Sequence, residues 1–386
     1  MLESVIPSSR RVIARRDVPF FRYPHVFAQH RAEVERALLG AAQAGAYILQ
    51  ADLRAFEDEL AAFCGVRCAV GVGNATDGLE LNLRVAGVGP GSEVLLPAHT
   101  FVATAEAVVA VGATPVFAEI GPDHLIDASD LEHRITPRTR AIMPAQLNGR
   151  TADMDTIGAI AQHHGLAVVE DSAQGLGSRF RGRMAGTFGI AGVFSFYPAK
   201  MLGALGDGGA VITDHDDTAR ALRELRDHGR DEHTGEVVRW GRNSRLDNLQ
   251  AAVLRVKLRH VTEEIARRRE LARRYGRNLG AVREVLLPPL PDVAPGDPHM
   301  DVFQNYEIEA ERRDDLRAFL AEHGVGTLLQ WGGKGVHQFP ALGIRQRLPR
   351  TDAILSRSLM LPMNTSLTDD EVDYVTEQIG EFYAAG

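Results

Sequence analysis

The stretch Phe194–Asp214, FSFYPAKMLGALGDGGAVITD, decides how the rest of the chain is read. Its aromatic start and its GAVITD end read as buried strands, and between them lie one lysine, Lys200, and a loop rich in glycine. Glycine lets the backbone pass close to a bound group without side-chain clash. A lysine after a strand is by itself an ordinary surface residue, so what stands at the ends of the other strands settles what Lys200 is for.

Outward from this stretch, short β-rich runs alternate with helical patterns. CAVGVG is followed by ATDGLELNLRVAG, EVLLP by TFVATAEAVVAVG, TPVFAEI by DASDLEHRI and AIMPA by DMDTIGAIAQHHG. With LAVVED, GVFSFY and GAVITD they make about seven strands, the mark of an α/β protein with a large parallel or mixed sheet. From about Leu246 the texture changes to LDNLQAAVLRVKLRHVTEEIARRRELARRYGRNLG, far longer than an average globular helix. It reads as a bridge between two domains. Residues 1–250 form an N-terminal arm and a large domain, and residues 251–386 the linking helix and a small α+β domain. The latter holds the Pro-rich linker LPPLPDVAPGDPH, the strand NYEIEA, the helix RRDDLRAFLAEHG and the final helix TDDEVDYVTEQIGEFYAA.

With 386 residues, 45% of them hydrophobic, the chain can bury a large core. A net charge of −8 argues against a nucleic-acid binder, and RRRELARR at Arg267–Arg274 reads as the solvated face of a helix. Cys64 and Cys68, the only cysteines, offer neither a disulfide framework nor a four-ligand zinc site. DHDD at Asp214–Asp217 looks like a metal cluster, but it opens the helical DDTARALRELRDHG, where acidic residues serve the helix start, so no metal is expected. The first residues show no apolar run of signal-peptide length and no window approaches a membrane span, so the expected compartment is the cytoplasm.

Ligands of open α/β sheets collect at the carboxyl ends of strands. After CAVGVG stand Asn74, Ala75 and Thr76 at a helix start; after EVLLP, His99, Thr100 and Phe101; after AIMPA, Gln146 and Asn148; after LAVVE, Asp171 and Gln174; Ser195 and Lys200 complete the set. Each has a plain structural reading too. The helix start is capped by Asn74 or Thr76, or it binds an anion with its free amides and dipole. Phe101 alone would be core, and Asp171 alone a hydrogen-bonded structural carboxylate. Together a helix-end phosphate site, an aromatic to cover a ring, a buried carboxylate for a cationic ring nitrogen and a lysine to make an imine describe pyridoxal phosphate binding.

The sequence resembles the fold-type-I, pyridoxal-phosphate-dependent sugar aminotransferases of the DegT/DnrJ/EryC1/StrS family, from VPFFRYP to SRSLMLPMNTSLTDDEVDYV. The motifs VVEDSAQGLGS, FSFYPAKMLGALGDGGAV and GRNSRLDNLQAAVL occur in the family's order and spacing. The resemblance implies an aspartate-aminotransferase-like fold with a seven-stranded, mostly parallel sheet. It makes Lys200 the Schiff-base lysine and Asp171 the partner of the pyridine nitrogen. It places Gln174 beside the ring hydroxyl, Phe101 over the ring, and Ala75, Thr76 and Ser195 around the phosphate. Asn243 of GRNSRLD would reach the phosphate of a neighbouring subunit, so a homodimer with shared sites is implied, and Arg245 is a candidate for the amino donor's carboxylate.

The implied reaction runs in two half-reactions between the pyridoxal and pyridoxamine forms of the cofactor, from L-glutamate to a nucleotide-linked keto-sugar. A dTDP-linked 4-keto-6-deoxyhexose aminated at C4 is the first expectation, by family prevalence, and the 3-keto isomer the second. This chain departs from many relatives at QLNG, Gln146–Gly149, and at LQWGGKGVHQFPALG, which puts Trp331, Lys334 and His337 near the expected sugar-nucleotide region. Two other classes compete. A nicotinamide-dependent oxidoreductase would need a fuller glycine fingerprint than VGVGNATDG and leaves Lys200 without a job, and a non-catalytic regulator on the same fold would bind cofactor without turnover.

Overall fold

The seven apolar runs pair into one sheet. In the structure, a computed structural model that describes residues 16–291 and 296–385, the strands are β1 (Cys68–Val72), β2 (Glu93–Pro97), β3 (Thr114–Ala118), β4 (Thr139–Ile142), β5 (Ala167–Asp171), β6 (Ala191–Ser195) and β7 (Gly209–Thr213). Their order across the sheet is β1-β7-β6-β5-β4-β2-β3. Only β7 runs against its neighbours. A parallel return needs a crossover, usually helical, and the segment between β6 and β7 carries no helix. β7 therefore comes straight back, with Ser195 opposite Gly209, and the loop bearing Lys200 is held at the carboxyl ends of the parallel strands.

The longer helices among the described residues, each of nine residues or more, are α1 (Arg31–Gln43), α2 (Ala51–Cys64), α3 (Ala75–Val85), α4 (Val102–Ala110), α5 (Met154–His164), α6 (Asp216–Arg226), α7 (Asn248–Leu279), α8 (Arg313–Glu322) and α9 (Asp369–Ala384). They cover both faces of the sheet, so alternate strand residues enter different cores. Val193 and Val211 join Leu79 and Leu83 of α3, while Phe194 and Ile212 join Phe56 and Leu60 of α2. Burial on both faces is why these strands read as continuous apolar runs. Gly78 is required by this packing, since a Cβ there would lie 2.8 Å from Val193.

A second, three-stranded antiparallel sheet is built from β8 (Val285–Leu286), β9 (Tyr306–Ala310) and β10 (Ser358–Leu361), with β9 central. The 32-residue α7 serves both cores. Leu254, Leu258 and Val261 pack with α2 and the main sheet, and Leu271, Tyr275 and Leu279 with Tyr306 and Leu359 of the small one. The expected solvated arginine face is corrected at its centre. Arg268 is buried, and its Nη1 donates to the carbonyl oxygens of Phe303, Gln304 and Met363 at 3.1–3.2 Å. Its neighbours Arg267 and Arg274 pair with Asp369 and Asp373 at the start of α9.

Cys64 and Cys68 are free thiols. Among the described residues no helix is long and apolar enough to cross a membrane. Most of the N-terminal stretch read for a targeting signal, and the middle of the Pro-rich linker, lie outside the described residues.

Candidate active site

The carboxyl ends of the central strands open onto a cavity of about 450 Å³. Ala75, Thr76, Phe101, Asp171, Gln174, Ser195 and Lys200 all line it.

One end of the cavity is the start of α3. Asn74 caps that helix, its Oδ1 accepting from the Asp77 N–H at 2.8 Å. The cap leaves the amides of Ala75 and Thr76, the first two helical residues, for a ligand at the positive end of the helix dipole. Gly209 makes the approach possible, because a Cβ there would sit 2.8 Å from the Ala75 nitrogen. Ser195 Oγ accepts from the Tyr197 N–H at 3.3 Å, which leaves its own hydrogen to donate. Backbone amides, dipole and hydroxyl together form a seat for a phosphate.

Asp171 ends β5, buried. Its Oδ2 accepts from Thr104 Oγ1 at 2.7 Å and its Oδ1 from the Ala173 N–H at 3.1 Å. Burial raises its pKa above the ordinary carboxylate range, against those two hydrogen bonds and the charge of Lys200. A buried carboxylate so short of positive charge is made to receive a cation. Thr104 was not singled out from the sequence. The signal was there in HTFVATAEA, where Thr100, just before the cap of α4, stands four residues ahead of Thr104 in its first turn, their hydroxyls 2.6 Å apart.

Lys200 follows a tight turn in which its N–H donates to the Tyr197 carbonyl at 2.8 Å. The loop is fastened from two sides: Gln304 Nε2 donates to the Ala199 carbonyl at 2.9 Å, and Lys257 Nζ of α7 to that of Gly203 at 2.5 Å. Burial pushes the Lys200 amine down to about 8, opposed by the Asp171 carboxylate. An amine that gives up its proton this close to neutrality is a competent nucleophile toward a carbonyl.

Phe101 is not core. It stands at the N-cap of α4 with 53% of its surface exposed, and its ring centroid is 6.3 Å from that of Trp331, which also lines the cavity. An exposed aromatic face on a cavity wall suits stacking by a planar ring. Gln174 Oε1 accepts from the Asn148 N–H at 2.9 Å and from Asn305 Nδ2 at 3.2 Å, which fixes the way its amide faces.

Four expected residues stand off this wall. Asn243 is exposed and bridges to Asp227, and Arg245 Nη1 donates to Asp227 Oδ1 at 2.9 Å. Lys334 is exposed, with Nζ 5.9 Å from the Phe339 ring. His337 is buried, its Nε2 2.8 Å from Asp352 Oδ1, and so is engaged in local packing. Of the stretch flagged for a sugar nucleotide, Trp331 alone lines the cavity.

The residues present fit a planar, cationic ring bearing a phosphate and a carbonyl. The unneutralised carboxylate, the open helix start behind Gly209 and the lowered amine each meet one of its groups. Comparison with known proteins agrees. The model of the DegT/DnrJ/EryC1/StrS aminotransferase family matches residues 28–380. The dTDP-3-amino-3,4,6-trideoxy-alpha-D-glucose transaminase of Streptomyces venezuelae is 40% identical over 372 residues, 95% of this chain and 96% of that protein. The crystal structure of S. venezuelae DesV aligns with a TM-score of 0.90 at 40% identity, covering 95% of this chain and 98% of that one. NtdA from Bacillus subtilis, solved with bound cofactor PMP, aligns with a TM-score of 0.86 at 28% identity, covering 96% of this chain and 86% of that one. By fold, site and sequence alike, the chain belongs to the DegT/DnrJ/EryC1/StrS aminotransferase family, enzymes that work with pyridoxal phosphate and its pyridoxamine form.

Proposed function

We propose that the protein moves an amino group from L-glutamate to a keto-sugar carried on a nucleotide diphosphate, with pyridoxal phosphate as cofactor. The observation that carries this reading is one cavity walled by Lys200, with its amine at about 8, by buried Asp171 and by the open start of α3. When bound, the cofactor supplies an electron sink for the charge left when an α-proton departs. Asp171 would hold the protonated ring nitrogen, with Thr104 keeping the carboxylate turned toward it. The amides of Ala75 and Thr76 and the Ser195 hydroxyl would hold the phosphate. Phe101 would cover the ring, and Gln174 would stand beside its hydroxyl.

Lys200 Nζ would hold the cofactor's carbonyl group and be freed on binding of the donor. The freed Nζ then takes the proton from the donor's α-carbon, and hydrolysis releases 2-oxoglutarate. In the second half-reaction Nζ delivers a proton to the sugar carbon that receives the nitrogen. We read exposed Asn243 as serving the phosphate site of a second copy, so that a homodimer shares its sites, with Arg245 near the donor's carboxylate. The name of the Streptomyces relative, a 3-amino-sugar transaminase, supports C3 over C4 as the position aminated, the reverse of the order expected from sequence.

The test is a panel. Protein converted to its pyridoxamine form by glutamate is freed of small molecules and offered nucleotide-linked 3-keto and 4-keto sugars. Return of the aldehyde absorbance with a 3-keto sugar supports the proposal. Return only with simple 2-oxo acids refutes the acceptor class, and no spectral change with glutamate marks a binder without turnover.

A further inference from the structure

Glu307, the second residue of β9, is 3% exposed and surrounded by donors from distant parts of the chain. His99 Nε2 lies 3.2 Å and His124 Nδ1 3.0 Å from its Oε2, and Asn148 Nδ2 donates to the same oxygen at 2.7 Å. Gln330, in the amide orientation that satisfies both of its polar atoms, donates to the two carboxylate oxygens at 3.2 and 3.3 Å. His124 Nε2 also reaches Glu309 Oε1 at 3.3 Å, and Glu309 pairs with Arg357. Burial alone would raise the Glu307 pKa, but the two imidazoles hold it well below the usual carboxylate range. Against burial, Glu307 and Glu309 push His124 up to about 10. Although His99, His124 and Glu307 bring ligand atoms within 4.8 Å of one another, the carboxylate is occupied by N–H donors, so the group is an ion cluster.

Three of the four donors adjoin the active-site wall. His99 stands two residues before Phe101, the Asn148 N–H donates to Gln174, and Gln330 immediately precedes Trp331. Among the described residues, Trp331 is the one wall residue contributed from beyond α7. It holds a left-handed backbone conformation, φ 49°, strained for a bulky side chain, with its ring edge-on to His99 at 5.2 Å. Lys200, Asp171, Ser195 and the start of α3 hang on the main sheet and make no contact with Glu307 or its donors. Trp331 adjoins two of those donors, Gln330 in sequence and His99 by ring contact.

We propose that Glu307 is a positioning residue that seats Trp331 and so sets how tightly the acceptor sugar is held, without touching substrate or cofactor. This rests on the transaminase reading above. A large aromatic on the wall beside Phe101 can meet the bulky acceptor, whereas glutamate is small. The chain has two tryptophans, and the other, Trp240, is 90% exposed. In a W240F background, Trp331 fluorescence of the cofactor-free protein therefore reports its seating directly.

Replacing Glu307 by Gln turns an N–H₂ toward groups that are themselves donors. Expected for W240F/E307Q are a red-shifted emission and stronger acrylamide quenching. With cofactor, KM for the keto-sugar rises about tenfold, the loss of one charge-assisted hydrogen bond, while the glutamate half-reaction stays within about twofold. Q330M removes one donor, leaves the ion cluster whole, and shifts both readouts the same way, so the test survives if E307Q does not fold. Unchanged emission and unchanged KM in both variants overturn the proposal. Equal losses in both half-reactions with loss of cofactor overturn it too, marking a merely structural carboxylate. If the W240F parent shows no glutamate half-reaction, the transaminase reading fails, and the emission shift still decides whether Glu307 seats Trp331.

Discussion

Lys200 offers the sharpest test of the site, because burial makes a quantitative statement about its reactivity. With the amine at about 8 in place of 10.5, about one molecule in ten carries a neutral Nζ at pH 7, against about one in three thousand for an ordinary lysine. Capture of pyridoxal phosphate by the cofactor-free protein should therefore run near neutrality faster than by an ordinary lysine of equal access, by at most about 300-fold since a less basic amine is also a weaker nucleophile, rise with pH, and level off above about 8. Borohydride fixes the adduct, and mass spectrometry locates it without ambiguity, since the chain has three lysines, Lys200, Lys257 and Lys334. Lys257 is an internal control: burial pushes it too down to about 8, but its Nζ is spent on the Gly203 carbonyl and it does not line the cavity. Because the Asp171 carboxylate opposes the fall, D171N should move the midpoint lower still. A midpoint near 10, or label on Lys257 or Lys334, would refute the reasoning.

Other outcomes follow from the same geometry. T104V takes from buried Asp171 a charge-assisted hydrogen bond of about 1.5–3 kcal/mol, so the cofactor dissociation constant measured by absorbance titration should rise by about tenfold or more. G209A places a methyl 2.8 Å from the Ala75 nitrogen and should push β7 off the start of α3, lowering both Tm and inorganic phosphate affinity. K200A and N243A are each expected to be inactive. Mixed after partial unfolding, they should regain about a quarter of wild-type activity if two copies share each site, and none if each chain is self-sufficient.

The main sheet was legible because strands buried on both faces leave runs such as EVLLP with no polar interruption, and α7 begins at Asn248 and ends at Leu279, inside the helical pattern read from Leu246. Lys200 and Asp171 were legible because strand ends converge on one side of a parallel sheet, a property of topology and hence of order along the chain. What escaped depends on partners far away in sequence. Arg268 sits among consecutive arginines, and nothing local reveals that carbonyls 35, 36 and 95 residues on take it out of water. Glu307 reads as one more polar residue in NYEIEA, since its histidine partners lie 208 and 183 residues away. Phe101 taken alone reads as core, because aromatic character predicts burial, and only its place among the strand ends gave it another use; in the structure it is exposed.

The long helix has a mechanical consequence. α7 contributes to both cores and contains no proline, and its one glycine, Gly276, comes in the last turn, so it lacks the features at which helices bend sharply. At about 1.5 Å per residue it is a girder roughly 48 Å long. A stiff helix shared by both cores opposes hinging between them, so calorimetric melting is expected as a single cooperative peak, and two separate transitions would count against the coupling.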